Sequence, residues 1–124
     1  MVAVVSREDE LTWEELDVRA DRLAGAYAAR LEPGERLASL MPNRTALLIH
    51  YLACFRAGLV AVPLNYRYTH REIDHALEVS GATGIVAHAE RAEDLAASAG
   101  VPGLRVRITY GADGSSDELS LIHI

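Results

Sequence analysis

The stretch Arg56-Ala57-Gly58-Leu59-Val60-Ala61-Val62-Pro63-Leu64-Asn65-Tyr66-Arg67-Tyr68-Thr69 reads as the end of one helix, a short strand, a loop and the start of the next helix. Gly58 suits the left-handed position just past a helix end, because it has no Cβ to clash. Leu59 to Val62 is a continuous apolar run, which predicts a parallel strand covered on both faces. Pro63 has no amide hydrogen, so the strand stops there or its nitrogen faces outward. Asn65 to Tyr68 is the loop. Thr69 then opens a Thr-x-x-Glu capping box with Glu72, in which hydroxyl and carboxylate each take a free backbone amide. Ligands of open parallel sheets bind at the loops after the strand ends, so a site is expected at or near Asn65 to Tyr68.

The same grammar extends both ways along the chain. Thr12-Trp13-Glu14-Glu15 is a second capping box, opening a helix expected from Trp13 to Leu31. Leu16, Ala20, Leu23, Ala24, Tyr27 and Leu31 form one apolar stripe along it. Pro33-Gly34 marks a turn, and residues 37–41 read as a strand. Asn43 is placed to cap the helix from Arg44 to Ala57, which is apolar almost all round. Residues 70–80 read as a helix ended by Gly81, 84–88 as a buried strand, and 91–99 as a short helix. Residues 104–110 alternate apolar and polar, as a strand with one wet face does. Val2 to Ser6 reads as an edge strand or arm, Arg7 to Glu10 as a charged turn, and Gly111 to Ser116 as a flexible loop.

The apolar strands begin near residues 37, 60 and 84, with a helix in each interval. A parallel crossover needs room for a helix, and these intervals supply it. The expected fold class is therefore α/β: a mostly parallel, doubly wound sheet with helices on both faces.

The chain has 124 residues, half of them hydrophobic, which is enough for one domain with a real core. Its net charge of −6 argues against a nucleic-acid surface. All 12 basic residues are arginine, so no lysine is present for a Schiff base or a Walker-type phosphate loop. Cys54 is the single cysteine and has no partner for an internal disulfide; with no signal-peptide pattern, a cytoplasmic location is expected. No apolar run reaches the ~20 residues of a transmembrane helix.

Few residues group into chemistry. His50 and Cys54 share a helix face, as a metal pair or a Cys–His couple would, but two ligands are too few for zinc and a core role is the expectation. His70 and His75 would lie about 140° apart on a helix, so a shared metal is not expected. Asp74 and Glu78 read as an exposed acidic face. Tyr66 and Tyr68 flank Arg67; they suit lining a ligand or packing the loop over a helix, and packing is the expectation. Gly-x-Gly-x-x-Gly does not follow any strand. On the residues alone, the reading is an α/β module without a catalytic set.

Four segments then occur in a fixed order: residues 11–17, Pro33-Gly34-Glu35-Arg36-Leu37-Ala38, Met41-Pro42-Asn43, and Tyr51 through Asn65. Together they resemble the amino-terminal part of the adenylate-forming, AMP-binding enzymes. Asn65-Tyr66-Arg67-Tyr68-Thr69 followed by Glu72-Ile73 is most similar to the acyl-CoA synthetase branch. The resemblance covers residues 11–100.

It implies a parent acid–thiol ligase that joins a small carboxylic acid to AMP using ATP and Mg, then passes the acyl group to coenzyme A, as in fatty acid metabolism. The family's chains are several times longer. Their Ser/Thr/Gly-rich phosphate loop, adenine motif, ribose-binding aspartate and catalytic lysine lie beyond the matching region, so no catalytic or metal residue is assigned. The resemblance places Asn65, Arg67 and Arg91 on the coenzyme A side, where arginine suits a phosphate. Residues 1–113 are read as the α/β portion, and 114–124, which do not resemble the family, as an irregular tail. The chain alone is expected to be inactive, to hold no cofactor tightly, and to self-associate through apolar surface left open on the helix Arg44 to Ala57. A stand-alone α/β binding or interaction module without enzymatic activity is the alternative.

Overall fold

The computed structural model describes residues 2–5 and 10–111. The expected boundary after residue 113, the tail beyond it and most of the Gly111–Ser116 loop lie outside the described residues, as does most of the charged turn.

Strands β1 (Val2–Val5) and β2 (Glu10–Thr12) pair antiparallel as a separate ribbon. The main sheet holds β3 (Arg36–Leu40), β4 (Val60–Pro63), β5 (Gly84–His88) and β6 (Val106–Tyr110). Its order is β4-β3-β5-β6, and every pairing is parallel. Helices α1 (Trp13–Ala28) and α2 (Thr45–Ala57) contribute to the core on one face. Helix α3 (His70–Ser80), with the short α4 (Ala92–Ala97), lies on the other. The strand pleat sorts side chains between the two cores: Leu37 and Val86 face α1 and α2, whereas Ala38, Leu40, Ile85 and Ala87 face α3. The expected doubly wound α/β sheet is what forms.

Local chemistry explains the helix ends. Thr12 and Glu15 close a reciprocal capping box, with the Glu15 amide 3.1 Å from the Thr12 hydroxyl. Thr69 and Glu72 do the same for α3, at 3.3 Å. Gly58 ends α2 at φ 74°, in the left-handed region expected of it. Two expectations need correction. Asn43 does not cap α2: the helix begins one residue later, and Arg44, extended at φ −133°, holds the cap position with no side-chain hydrogen bond to the helix end. Helix α1 ends at Ala28 rather than Leu31, though a Leu31 amide bond of 2.8 Å to the Tyr27 carbonyl keeps Leu31 buried.

Strand β4 departs from the expectation of cover on both faces. It is an edge strand of the described sheet, with Val60 47% exposed and Ala61 and Val62 only half-buried. The amides of Val60 and Leu64 bond to Glu35 and Ser39 carbonyls at 2.9 Å each, so alternate positions face β3. Pro63 falls between them in this alternation, and its nitrogen lies on the outer side, where no ladder bond is lost.

Helix α2 is apolar on more of its surface than the described residues cover. Ala46, Ile49, His50, Ala53 and Cys54 are buried, Leu47 and Tyr51 are half-buried, and Leu48 and Phe55 are 38% and 86% exposed. At the amino-terminal ends of the strands, the Glu35 carboxylate accepts from the Thr83 hydroxyl at 3.0 Å and from Arg105 Nε at 3.2 Å. That carboxylate ties the entries to β3, β5 and β6 together, and the Arg105 bond holds its pKa below the usual carboxylate range.

Candidate functional site

Parallel pairing brings every strand's carboxyl end to one edge. Ser39 is level with Pro63 and Val86, and His88 is level with Tyr110. The chain passes from β3 out to β4, then returns across β3 to β5, so the connections diverge at the end of β3. This is the topological switch point, where a crevice opens in sheets of this kind. Three loops surround it: the one leading to Arg44, the one from Leu64 to Thr69, and the turn Ala89–Arg91.

The Leu64–Thr69 loop is locally determined. Leu64 is anchored under it, 9% exposed, with its amide on the Ser39 carbonyl. The Asn65 side-chain oxygen accepts the Arg67 amide at 2.9 Å, an Asx-turn that shapes the bend. The Tyr68 amide bonds to the Asn65 carbonyl at 3.0 Å, and Thr69 then caps α3. Asn65 and Arg67 are exposed on this bend, while Tyr66 and Tyr68 are half-buried against the α3-side core. The tyrosines therefore pack the loop over the fold, as expected.

Beyond β3, the loop meets the turn after β5. The Tyr66 hydroxyl donates to the Glu90 carboxylate. Burial, followed by the Glu90 bond, pushes the Tyr66 phenol well up, and the Tyr66 bond holds Glu90 down. The Arg44 charge acts on both groups. The Glu90 amide donates to Nδ1 of the buried His88 at 3.1 Å. Arg91 Nη2 reaches the Tyr68 carbonyl at 2.5 Å and the Asp94 carboxylate at 2.8 Å. Its guanidinium carbon sits 5.5 Å from the centre of the Tyr66 ring, within cation–π range.

Asn65, Arg67 and Arg91 thus belong to loops that come together, but they are not equivalent. The Arg67 side chain stands out from the bend. The Arg91 side chain is only 14% exposed and is engaged with the neighbouring loop and with Asp94. Sequence reasoning did not foresee the Tyr66–Glu90 bond, the Tyr68 carbonyl contact or the Asp94 pair. The first two join separate β-α units, which only the strand order brings together; the Arg91–Asp94 pair is local, three residues apart, and its spacing was there to be read.

His50 and Cys54 lie elsewhere, buried between α1 and α2. The Tyr27 hydroxyl hydrogen-bonds His50 Nδ1 at 2.7 Å, and Cys54 Sγ is 3.6 Å from Nε2. Burial pushes His50 down to about 4 and Cys54 up to about 12, so both are neutral at pH 7. A thiol of that acidity supplies little thiolate, which makes it a poor nucleophile. Among the described residues no group of three or more His, Cys, Asp or Glu side chains could hold a metal ion. No helix among them is long and apolar enough to cross a membrane.

Comparison with known proteins places this geometry in a family. Residues 1–122 match the sequence model of the AMP-binding enzymes. A feruloyl-CoA synthase of Amycolatopsis is 46% identical over 110 residues, covering 87% of this chain and 22% of its own. A long-chain-fatty-acid–CoA ligase of Escherichia coli is 36% identical over 87 residues, 68% of this chain and 15% of its own. The chain therefore spans about one fifth or less of the length of these relatives. Among solved structures, ATP-bound MatB from Rhodopseudomonas palustris superposes with a TM-score of 0.74 at 34% identity, covering 88% of this chain and 22% of that one. A benzoate CoA ligase of Burkholderia xenovorans shares the fold at a TM-score of 0.80 and 24% identity, with 89% and 22% covered. The chain belongs to the AMP-binding enzyme family and has the fold of the amino-terminal portion of adenylate-forming enzymes.

Proposed function

We propose that this chain is the amino-terminal portion of an ATP-dependent acyl-CoA synthetase. The longer enzyme would join a carboxylic acid to AMP, releasing pyrophosphate, and then transfer the acyl group to the thiol of coenzyme A. The observation that carries this reading is the match to relatives named for acyl-CoA formation, across most of this chain and only a small part of theirs. The higher identity to feruloyl-CoA synthases favours an aromatic acid over a long-chain fatty acid. The exposed side chains on α2 favour a portion of a larger fold over a stand-alone binding module.

In this reading the switch-point loops face the coenzyme A nucleotide. The donor types suit a phosphate: Arg67 is exposed on an Asx-shaped bend, and Arg91 is bonded to the same loop through the Tyr68 carbonyl. Coenzyme A would supply the acceptor thiol, and ATP with Mg the activating phosphate. This chain's part is to shape and charge one wall. It supplies no lysine, so it carries no catalytic role by itself.

The test is a pyrophosphate-release assay. A longer reading frame, given ATP, Mg, coenzyme A and ferulate or palmitate, should form the acyl-CoA, whereas the 124-residue chain should release none above background. Pyrophosphate release by the isolated chain would overturn its assignment as an inactive portion. A longer frame without a Ser/Thr/Gly-rich loop ending in Pro-Lys-Gly would overturn the synthetase reading.

A further inference from the structure

Helix α2 differs from α1 and α3 in what it turns outward. The open face of α1 sets Glu14, Asp17, Asp21 and Arg22 around Trp13 and Val18, and that of α3 sets Arg71, Glu72 and Glu78 around Val79. From Thr45 to Phe55, α2 holds no Asp, Glu, Lys or Arg at all. Leu48, Leu52 and Phe55 recur at spacings of four and three, which puts them on one face. Leu52 is half-buried, whereas Leu48 is 38% and Phe55 86% exposed. Leu47, Ala57 and Ala61 are half-buried against the core beneath, so the apolar surface is continuous with that core. A helix apolar on this much of its circumference belongs between two layers of structure. The described residues supply one of them, the sheet β4-β3-β5-β6 with α1 alongside.

We propose that the Leu48–Leu52–Phe55 face of α2 is a docking surface for the complementary portion of the synthetase, and that it binds this portion even when the two are separate chains. This rests on the synthetase reading above and names the surface that joins this chain to the rest. The length of the relatives argues for this occupant: the chain covers 22% of the feruloyl-CoA synthase and 15% of the fatty-acid ligase, so most of such an enzyme lies outside it. The chain also has what a separable unit needs. Each sheet face carries its own buried core, with Leu37 and Val86 on one and Leu40 and Ile85 on the other, so docking requires no rearrangement of either. The stripe has no charge, and the matching surface is therefore apolar too; a charged one would lose its water without gaining a partner.

The experiment cuts the longer enzyme in two. A protease site placed between Gly111 and Ser116 of the longer reading frame lets the purified, active protein be cleaved, and size-exclusion chromatography shows whether the pieces remain together. They should co-elute, and a tagged 124-residue chain should exchange into the complex saturably. Phe55→Ser and Leu48→Ser should each weaken that exchange by about tenfold or more, the effect of one large apolar side chain left without cover. Val79→Ser, on α3 at a site 72% exposed, should change nothing. Unfolding curves of the isolated variants separate lost docking from lost folding, because Phe55 is exposed in the chain by itself. Pieces that separate from an active parent overturn this inference and spare the synthetase reading. Co-elution and exchange that Phe55→Ser and Leu48→Ser leave unchanged overturn the assignment of the face. A dimer of the 124-residue chain, with the complementary piece left free, makes a second copy the occupant and overturns it as well. A longer protein that forms no acyl-CoA before cleavage removes the reading and the inference together.

Discussion

The Tyr27 hydroxyl and His50 Nδ1 lie 2.7 Å apart in the buried seam between α1 and α2. Both side chains have no exposure to solvent, so each polar group depends on the other. A buried polar group deprived of its partner costs about 1–3 kcal/mol. Tyr27→Phe should therefore destabilise the chain by that amount, measured by denaturant unfolding. Loss of a single atom with no effect would mean that His50 finds another partner.

The same histidine makes stability depend on pH. Burial lowers His50 to about 4 in the folded chain, against an ordinary value near 6.5 when unfolded. Between those values the unfolded state binds the extra proton. Stability from this group is therefore complete above about pH 6.5 and is lost as pH falls through 4, up to about 3 kcal/mol in total. Carboxylates held low, such as Asp74, also lose stability in acid. The comparison of wild type with His50→Gln isolates the histidine: the difference in unfolding free energy should narrow as pH drops from 7 to 4.

Gly84 sits between neighbouring strands under Leu37. A Cβ there would lie 3.0 Å from Leu37 Cδ1 and 3.2 Å from the Val106 carbonyl oxygen. Gly84→Val should cost about 1–3 kcal/mol through overpacking, despite valine's preference for strands. Thermal unfolding monitored by circular dichroism checks it; an unchanged or raised melting temperature would contradict this packing.

Thr69 accepts the Glu72 amide at 3.3 Å and its own amide reaches the Glu72 carboxylate at 3.0 Å. Thr69→Ala removes half of this box and should cost about 1 kcal/mol. Hydrogen exchange in the first turn of α3 should quicken more than in α1, whose box at Thr12 is intact.

Phe55, 86% exposed on α2, is the most open of the large apolar side chains among the described residues. The isolated chain should self-associate in sedimentation velocity, and Phe55→Ser should lower that association without loss of stability. Persistent association of the variant would move the contact elsewhere.

What could be read along the chain was whatever neighbours in sequence decide. The Thr12 and Thr69 boxes join groups three residues apart, and Gly58 ends α2 for want of a Cβ, so these features carry local signatures. Apolar runs separated by helix-length intervals likewise announced parallel β-α units, because a crossover has a minimum length. The order β4-β3-β5-β6 was not written that way. An apolar run such as Val60-Ala61-Val62 looks the same at a sheet edge or in its centre, and packing of α2 and α3 on opposite faces settles which. From that order follow the contacts of the candidate site. Sequence marked the loops around Asn65, Arg67 and Arg91 as the place for a ligand. Only the tertiary structure brought Tyr66 to Glu90 and Tyr68 to Arg91, because a charge has no partner until strand pairing chooses its neighbours.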